Sequence, residues 1–490
     1  MSQPKPGHEP MSPLDELLFR NERDPDKRST LAVVHLLDRA PDWSEVEYAF
    51  ERASREFLRL RQRVVEPTGG FGPAFWATDP DFDLAYHLRR MRLAPGATLA
   101  DVLAWLEPEL TTPLDAARPL WRASLFEGIE GERAALVMTV SHAVSDGVGG
   151  VALHGILFDA ERAAPRRPMP PAPLATDASP DELAGEELGR LALHMLDFAT
   201  RFAGQISSVA DRLRESPRAV LDDLVARASS ALRVLDSGAP HSPLLAGRSR
   251  KRRLLWREIS LDRLRASAKA AGGTINDAYL AGLCGALARY HDALFMPVGT
   301  LPLGIPISTR GPHGADPTGG NRFVAAVLAA PLSPRDPAAR MKAIAEQLRT
   351  IRAEPGIDYA DWAAPWLAAL PAPLSARVMG TIRAPDVQAS NVPGPRTPLH
   401  LGGARVDRIL GIGPLPGAAM MATLFTHGRR ASLTIHYDPA ALREPELFER
   451  CLAESFAEID ALAQDFGRAD DALPTEASPA DPAPARNDRA

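Results

Sequence analysis

The stretch TVSHAVSDGVGG, residues 139–150, sets His142 four residues before Asp146 and follows them with Gly147, Gly149 and Gly150. An imidazole with an ordinary pKa of about 6.5 is largely neutral near pH 7 yet able to take a proton, which suits it to general-base work. Held in a tight corner, His142 could deprotonate a hydroxyl or amine as that group attacks an activated acyl carbon. With a thioester as donor, the leaving thiolate is stable enough that no covalent acyl-enzyme is required. A histidine at the end of a buried strand is also an ordinary core side chain, so its surroundings must carry the assignment.

Those surroundings read as strand, corner and helix. The apolar run AALVMTV precedes the motif, VALHGILFDAE follows it at helical spacing, and the glycines permit backbone conformations and close approaches that other residues resist. Asp146 is suited to stabilising the corner. Ser145 offers a competing chemistry, because AVSDG has the form of a nucleophile elbow, but the rest of a hydrolase frame is not apparent.

Stepping outward, TLAVVHLLD predicts a strand and DWSEVEYAFERASREFLRLRQRV a helix, both in a mixed segment over residues 1–162. The Pro-rich AAPRRPMPPAPLATDASPDE then breaks regular structure. Leu188, Leu191, Met195, Phe198, Phe202, Ile206, Val209 and Leu213 fall on one helical face. The polar face mixes Glu, Asp and Arg, which favours a linker helix packed on the body over one lying in a lipid surface. Residues 163–248 are therefore read as a Pro-rich linker with amphipathic helices. A second mixed segment, 249–466, contains the helix TINDAYLAGLCGALARYH, the strands LPLGIPIST and FVAAVLAAPL, and the alternating ASLTIHYDP. Residues 467–490 are poor in large apolar groups and are expected to be disordered. Two α/β domains with a cleft between them are the expected architecture.

Composition sets limits. The chain has 490 residues, 45% hydrophobic and 24% charged, with a net charge of −6 that gives no electrostatic reason to expect nucleic acid. Cys284 and Cys451 have neither metal-ligand nor disulfide spacing, so no metal is expected and a cytoplasmic location is. No apolar run is long enough to span a bilayer, and the N-terminus lacks an export pattern.

SHAVSDG also resembles the HHxxxDG motif of CoA-dependent acyltransferases, with His142, Asp146 and Gly147 in place and Ser141 where the first histidine stands. Around it the chain is similar to the bacterial wax ester synthase/diacylglycerol acyltransferase family. MSPLDELLF, the PLW element Pro119–Leu120–Trp121, the pair Asn276–Asp277, PISTR at 306–310, GNRF at 320–323 and SNVPGP at 390–395 occur in the family's order. The resemblance implies two chloramphenicol-acetyltransferase-like α/β sandwich domains with a central channel. It implies an O-acyltransferase that uses acyl-CoA as co-substrate, with no bound cofactor, and makes triacylglycerol from diacylglycerol or wax ester from a long-chain alcohol. The roles implied are base for His142 and a structural role for Asp146, for which Arg310 is the proposed partner. Peripheral association with the inner membrane or lipid droplets fits such substrates. Two alternatives remain: a non-catalytic lipid-binding homologue, given the lost first histidine, and an acyltransferase using another alcohol or an amine.

The remaining features divide between site and scaffold. Asn276 and Asp277 start a helix, where both are ordinary caps, and the family match assigns them to shaping the active site. Asn276, Ser390, Asn391 and Thr426 are candidate donors to the oxyanion, a contact whose loss typically costs about 3 kcal/mol. On an extended strand Ser141 and His142 face opposite sides, so the missing histidine need not disturb the base. Gly394 is expected to supply backbone freedom in the SNVPGP turn. Arg248, Arg250, Lys251, Arg252, Arg253 and Arg257 are read as solvated surface, with a seat for CoA phosphates or anionic headgroups as the alternative. The glycines of GADPTGGN and GIGPLPG lack nucleotide-binding spacing.

Overall fold

A computed structural model describes residues 8–68, 73–144, 147–175, 229–308, 323–357 and 383–471, with a few isolated positions between them. The first half runs β1 (His8–Pro10), α1 (Pro13–Asn21), β2 (Thr30–Leu37), α2 (Trp43–Glu56), β3 (Gln62–Val65), β4 (Phe75–Thr78), α3 (Leu84–His87), β5 (Leu88–Arg92), α4 (Leu99–Glu109), β6 (Trp121–Ile129), β7 (Arg133–Ser141) and α5 (Gly147–Leu157). The second runs β8 (Arg253–Ser260), α6 (Leu261–Ala270), α7 (Ile275–Ala293), β9 (Thr300–Ser308), β10 (Phe323–Pro331), α8 (Pro337–Arg352), β11 (Val387–Val392), β12 (His400–Leu401), β13 (Ala404–Ile412), β14 (Met420–His427), β15 (Arg430–Tyr437) and α9 (Pro445–Asp471).

Each half carries a six-stranded sheet, ordered β12-β13-β2-β7-β6-β5 and β10-β9-β11-β14-β15-β8. The mixed α/β expectation is met, and one pair of strands crosses the division drawn at residues 162 and 249. β13 lies antiparallel to β2, with Ile409 opposite His35 and Ile412 opposite Ala32, so the second half completes the first sheet. β13 keeps a contact with its own half, where His436 Nδ1 meets Gly413 O at 2.9 Å, while Leu410 and Ile412 share a core with α4, β2 and β7 of the first half. Glu107 of α4 adds a bridge to β8, accepting from Leu254 N at 3.1 Å and Arg253 Nη1 at 3.0 Å.

The strand before the motif is apolar without alternation because both of its faces are covered. Residues 134–141 are all buried. Ala134, Leu136, Met138 and Val140 join the core shared with α2, while Ala135 and Val137 join the core shared with α4.

Two predicted elements have different limits. Helical spacing continues through the segment around 42–64, but α2 stops at Glu56, where Phe57 leaves helical dihedrals, and Gln62–Val65 pair with β4. α9 extends to Asp471, so the first residues assigned to the tail are helical; the rest of the tail, 472–490, and the stripe from Leu188 to Leu213 lie outside the described residues.

Candidate active site

His142 is the first residue past β7, and the chain on both sides of it is pinned. Its N–H donates to Ser29 O at 3.2 Å, and the preceding N–H, of Ser141, donates to Leu120 O at 3.0 Å. Leu120 belongs to the PLW element, so that element buttresses the end of the histidine strand. Trp121 anchors it in turn: the indole is fully buried, donates Nε1–H to Leu60 O at 2.8 Å, and stacks between His87 and Phe50. The His142 ring is half-buried, its centroid 5.4 Å from that of Phe323 at the start of β10. It therefore sits where the two halves meet. Gly147 opens α5, as the strand–corner–helix reading requires. Ser145, Asp146 and Arg310 lie outside the described residues.

Ser141 shows what replaced the first motif histidine. Its side chain is 1% exposed and its hydroxyl donates to Glu22 Oε1 at 3.1 Å. The same oxygen accepts from Ser29 N at 3.2 Å and Ser29 Oγ at 2.9 Å. Burial pushes the Glu22 carboxyl above the usual range, while the Ser29 and Ser141 donors pull it down. Sequence reading did not single out Glu22, since a carboxylate within FRNERD looks like solvated charge and its Ser141 contact spans 119 positions.

Beneath the corner is an apolar pocket with about 570 Å³ of empty space, part of it continuous with solvent. Val140 and Val144, which flank His142, line it together with Leu31, Val33, Leu153 and Leu157. β2 and β7 supply one wall through alternate side chains, and α5 supplies the opposite one. Two histidines interrupt the aliphatic lining, His35 and His154, whose Nε2 atoms are 2.9 Å apart.

The other expected residues divide. Asp277 is spent on its helix: it accepts from Thr274 N and Thr274 Oγ1, both at 2.8 Å, which makes it the capping partner of α7. Asn276 is half-buried in the first turn of that helix. Ser390 and Asn391 pair with Thr423 and Leu424 along β11 and β14, and Thr426 Oγ1 accepts from Gly394 N at 3.1 Å. Gly394 is required by proximity rather than by backbone freedom, since a Cβ there would stand 2.0 Å from Thr426 O.

The basic run is only partly the solvated surface expected. Arg252 is 9% exposed and faces Asp438 at 3.5 Å, and Arg248 Nε donates to Gly417 O at 2.7 Å. Both guanidiniums fasten the approach to β8, which leaves them poorly disposed to seat phosphates. Cys284 and Cys451 are buried free thiols, and burial pushes Cys284 up to about 12. Among the described residues no group of His, Cys, Asp and Glu could hold a metal ion.

Among solved structures, the wax ester synthase/diacylglycerol acyltransferase from Marinobacter aquaeolei VT8 superposes with a TM-score of 0.59 at 19% identity, covering 93% of this chain and 100% of that one. The first condensation domain of the calcium-dependent antibiotic synthetase, in complex with a substrate analogue, gives 0.60 at 17% identity over 93% and 96%. These likenesses define the class of fold, the chloramphenicol-acetyltransferase-like arrangement shared by acyltransferases and condensation domains. Sequence is more specific. Residues 11–279 match the wax ester synthase/diacylglycerol acyltransferase catalytic domain and residues 319–460 the C-terminal domain of the same family. A Mycobacterium tuberculosis protein bearing the name diacylglycerol O-acyltransferase is 44% identical over 453 residues, 92% of each chain. A second from that species, similarly named, is 30% identical over 418 residues, 82% of this chain and 85% of the other. The chain belongs to the wax ester synthase/diacylglycerol acyltransferase family and is an O-acyltransferase.

Proposed function

We propose that the protein transfers a long-chain acyl group from acyl-CoA to diacylglycerol or a long-chain alcohol, with His142 as general base. The observation that carries this reading is the half-buried His142 ring at the meeting of the two sheets, above an aliphatic pocket whose walls flank it at Val140 and Val144. The acceptor hydroxyl gives its proton to the imidazole as its oxygen attacks the thioester carbon. The tetrahedral intermediate then collapses, the C–S bond breaks, and the CoA thiolate takes the proton back from His142. The acyl chain lies in the pocket under α5. Asp146, paired with Arg310, holds the corner, and Asn276 or Asn391 donates to the oxyanion. No resident cofactor is needed for this sequence of steps.

Apolar substrates of this kind reside in lipid, so the same reading puts the protein at a membrane or lipid-droplet surface. No helix among the described residues is long and apolar enough to cross a membrane, which fits peripheral attachment.

Purified protein supplied with palmitoyl-CoA and either dioleoylglycerol or hexadecanol is expected to release free CoA and form the ester, and His142→Ala to abolish both. Unchanged release in that variant would remove His142 as base. An acceptor panel including amines separates lipid synthesis from transfer to another nucleophile, and tight acyl-CoA binding without turnover for any acceptor would identify a non-catalytic homologue.

A further inference from the structure

We infer that Glu22 is a positioning residue for the proposed base, acting on His142 through Ser141 and Ser29. The inference rests on the assignment of His142 above.

The end of the β2–β7 ladder is the rung Thr30–Ser141, and His142 lies just beyond it. Past that rung the sheet no longer dictates where the chain goes. Two neighbours help to hold the backbone of His142: Ser141, covalently, and Ser29, whose carbonyl accepts the His142 N–H at 3.2 Å. Both are tied to one atom. Glu22 Oε1 accepts from Ser141 Oγ at 3.1 Å, from Ser29 Oγ at 2.9 Å and from Ser29 N at 3.2 Å. Glu22 Oε2 reaches Thr30 Oγ1 at 3.5 Å, across the same rung.

The carboxylate is itself held in place. Glu22 caps the C-terminal end of α1, and its carbonyl accepts from Arg28 Nε at 3.1 Å while Arg28 Nη1 donates to Thr111 O at 2.6 Å. The helix end, the arginine and the carboxylate thus form a frame against which the two serines are fixed. Ser141 is the departure from the double-histidine motif, and its hydroxyl is used here, with Ser29 and Ser141 only 3% and 1% exposed. Three hydrogen bonds converging on one oxygen are directional, so the frame resists the small displacements to which proton transfer is sensitive.

The alternative is that Glu22 merely strengthens the fold. Steady-state kinetics of the full-length enzyme decide between them, with thermal unfolding and circular dichroism confirming that each variant is folded. Glu22→Ala is expected to lower kcat by about 10- to 100-fold with KM for acyl-CoA within about twofold, as for a small misplacement of a catalytic group. Glu22→Gln, which keeps an acceptor oxygen facing the serines, is expected to recover most of that loss. Ser141→Ala, a small change in volume, should lower kcat by about 3- to 10-fold, about one neutral hydrogen bond's worth. The Glu22→Ala/Ser141→Ala double variant should be no slower than Glu22→Ala alone. The proposal is overturned by a folded Glu22→Ala enzyme with kcat within twofold of wild type, by Gln failing as far as Ala, or by additive losses. His142→Ala, run in parallel, separates the two readings: if it alone is inactive while the Glu22 variants are normal, the base stands and the positioning role falls. If it remains active, the assignment of the base has failed instead.

Discussion

His35 and His154 meet at the wall of the apolar pocket with their Nε2 atoms 2.9 Å apart. His154 Nδ1 lies 2.9 Å from Gly150 O, an acceptor, so it carries the ring proton and its Nε2 is left to accept from His35 Nε2–H. Charging His154 would put a proton on its Nε2 and set donor against donor, and charging His35 would add a proton at its buried Nδ1. Burial accordingly lowers His154 to about 4 and holds His35 well below its ordinary value, with the neighbouring His154 as a second cause. On the other half, burial lowers His436 to about 4 as well.

These depressed values make a prediction about acid. Above the unfolded value of 6.5 the rings are neutral in both states and their native environment is retained in full. Between 6.5 and about 4 the unfolded chain binds protons that the folded one refuses, so stability falls with pH, by about 1.4 kcal/mol per pH unit for each such group. Urea unfolding midpoints should drop from pH 7 to pH 5, and the drop should be smaller in a His35→Leu/His154→Leu double variant. Parallel pH dependence in the two proteins would contradict the assignment.

A second prediction concerns chain length. Gly150 lines the pocket on α5, and a Cβ built there meets nothing within 4 Å. Gly150→Leu should therefore fold and fill part of the space. Each lost methylene contact in an apolar pocket discriminates by about 10-fold or more. The ratio of kcat/KM for palmitoyl-CoA over octanoyl-CoA is expected to fall by at least about 10-fold on that scale. An unchanged ratio would mean that the acyl chain binds elsewhere.

What could be read in the sequence was what is local. The unbroken run in β7 and the glycines after it announce a covered strand and a corner, because burial on both faces and backbone latitude are properties of the residues themselves. Partners are another matter. Nothing in ARVDRILGI says that β13 will join the first sheet, since a strand's own residues do not name its neighbour. Nothing in RSRKRRLLWR reveals that Arg252 will face Asp438, or in FRNERD that Glu22 will gather Ser29 and Ser141. The end of α2 is hidden in the sequence for a related reason: Leu58 and Leu60 keep the helical period after the helix has ended in a short 3-10 turn.

The thiols should be inert. With Cys284 buried and raised to about 12, and Cys451 also raised by burial, neither carries appreciable thiolate at pH 8. Iodoacetamide at pH 8 is expected to leave both unmodified in the folded protein and to label both in urea, with no loss of CoA release in the native sample. Rapid native labelling accompanied by inactivation would point to a covalent route through cysteine.

The turn after SNVP tests how tightly the second half is packed near the site. Gly394 has its N–H on Thr426 Oγ1 at 3.1 Å, and a Cβ added to it would fall 2.0 Å from Thr426 O and 2.5 Å from Cε1 of Phe425. Backbone oxygen cannot swing aside as a flexible side chain would, and Phe425 is buried in the first core, its centroid 6.0 Å from that of His154. Gly394→Ala must therefore displace β14 or the turn, an overpacking whose cost is about 1 to 3 kcal/mol. Gly150→Ala adds the same methyl group where nothing opposes it and should not be destabilising, given the better helix propensity of alanine. Chemical denaturation of the two variants side by side is expected to lower the midpoint for Gly394→Ala and to leave or raise it for Gly150→Ala. Equal midpoints would mean that the turn yields to the extra methyl, and the close approach at Thr426 would then not account for glycine at 394.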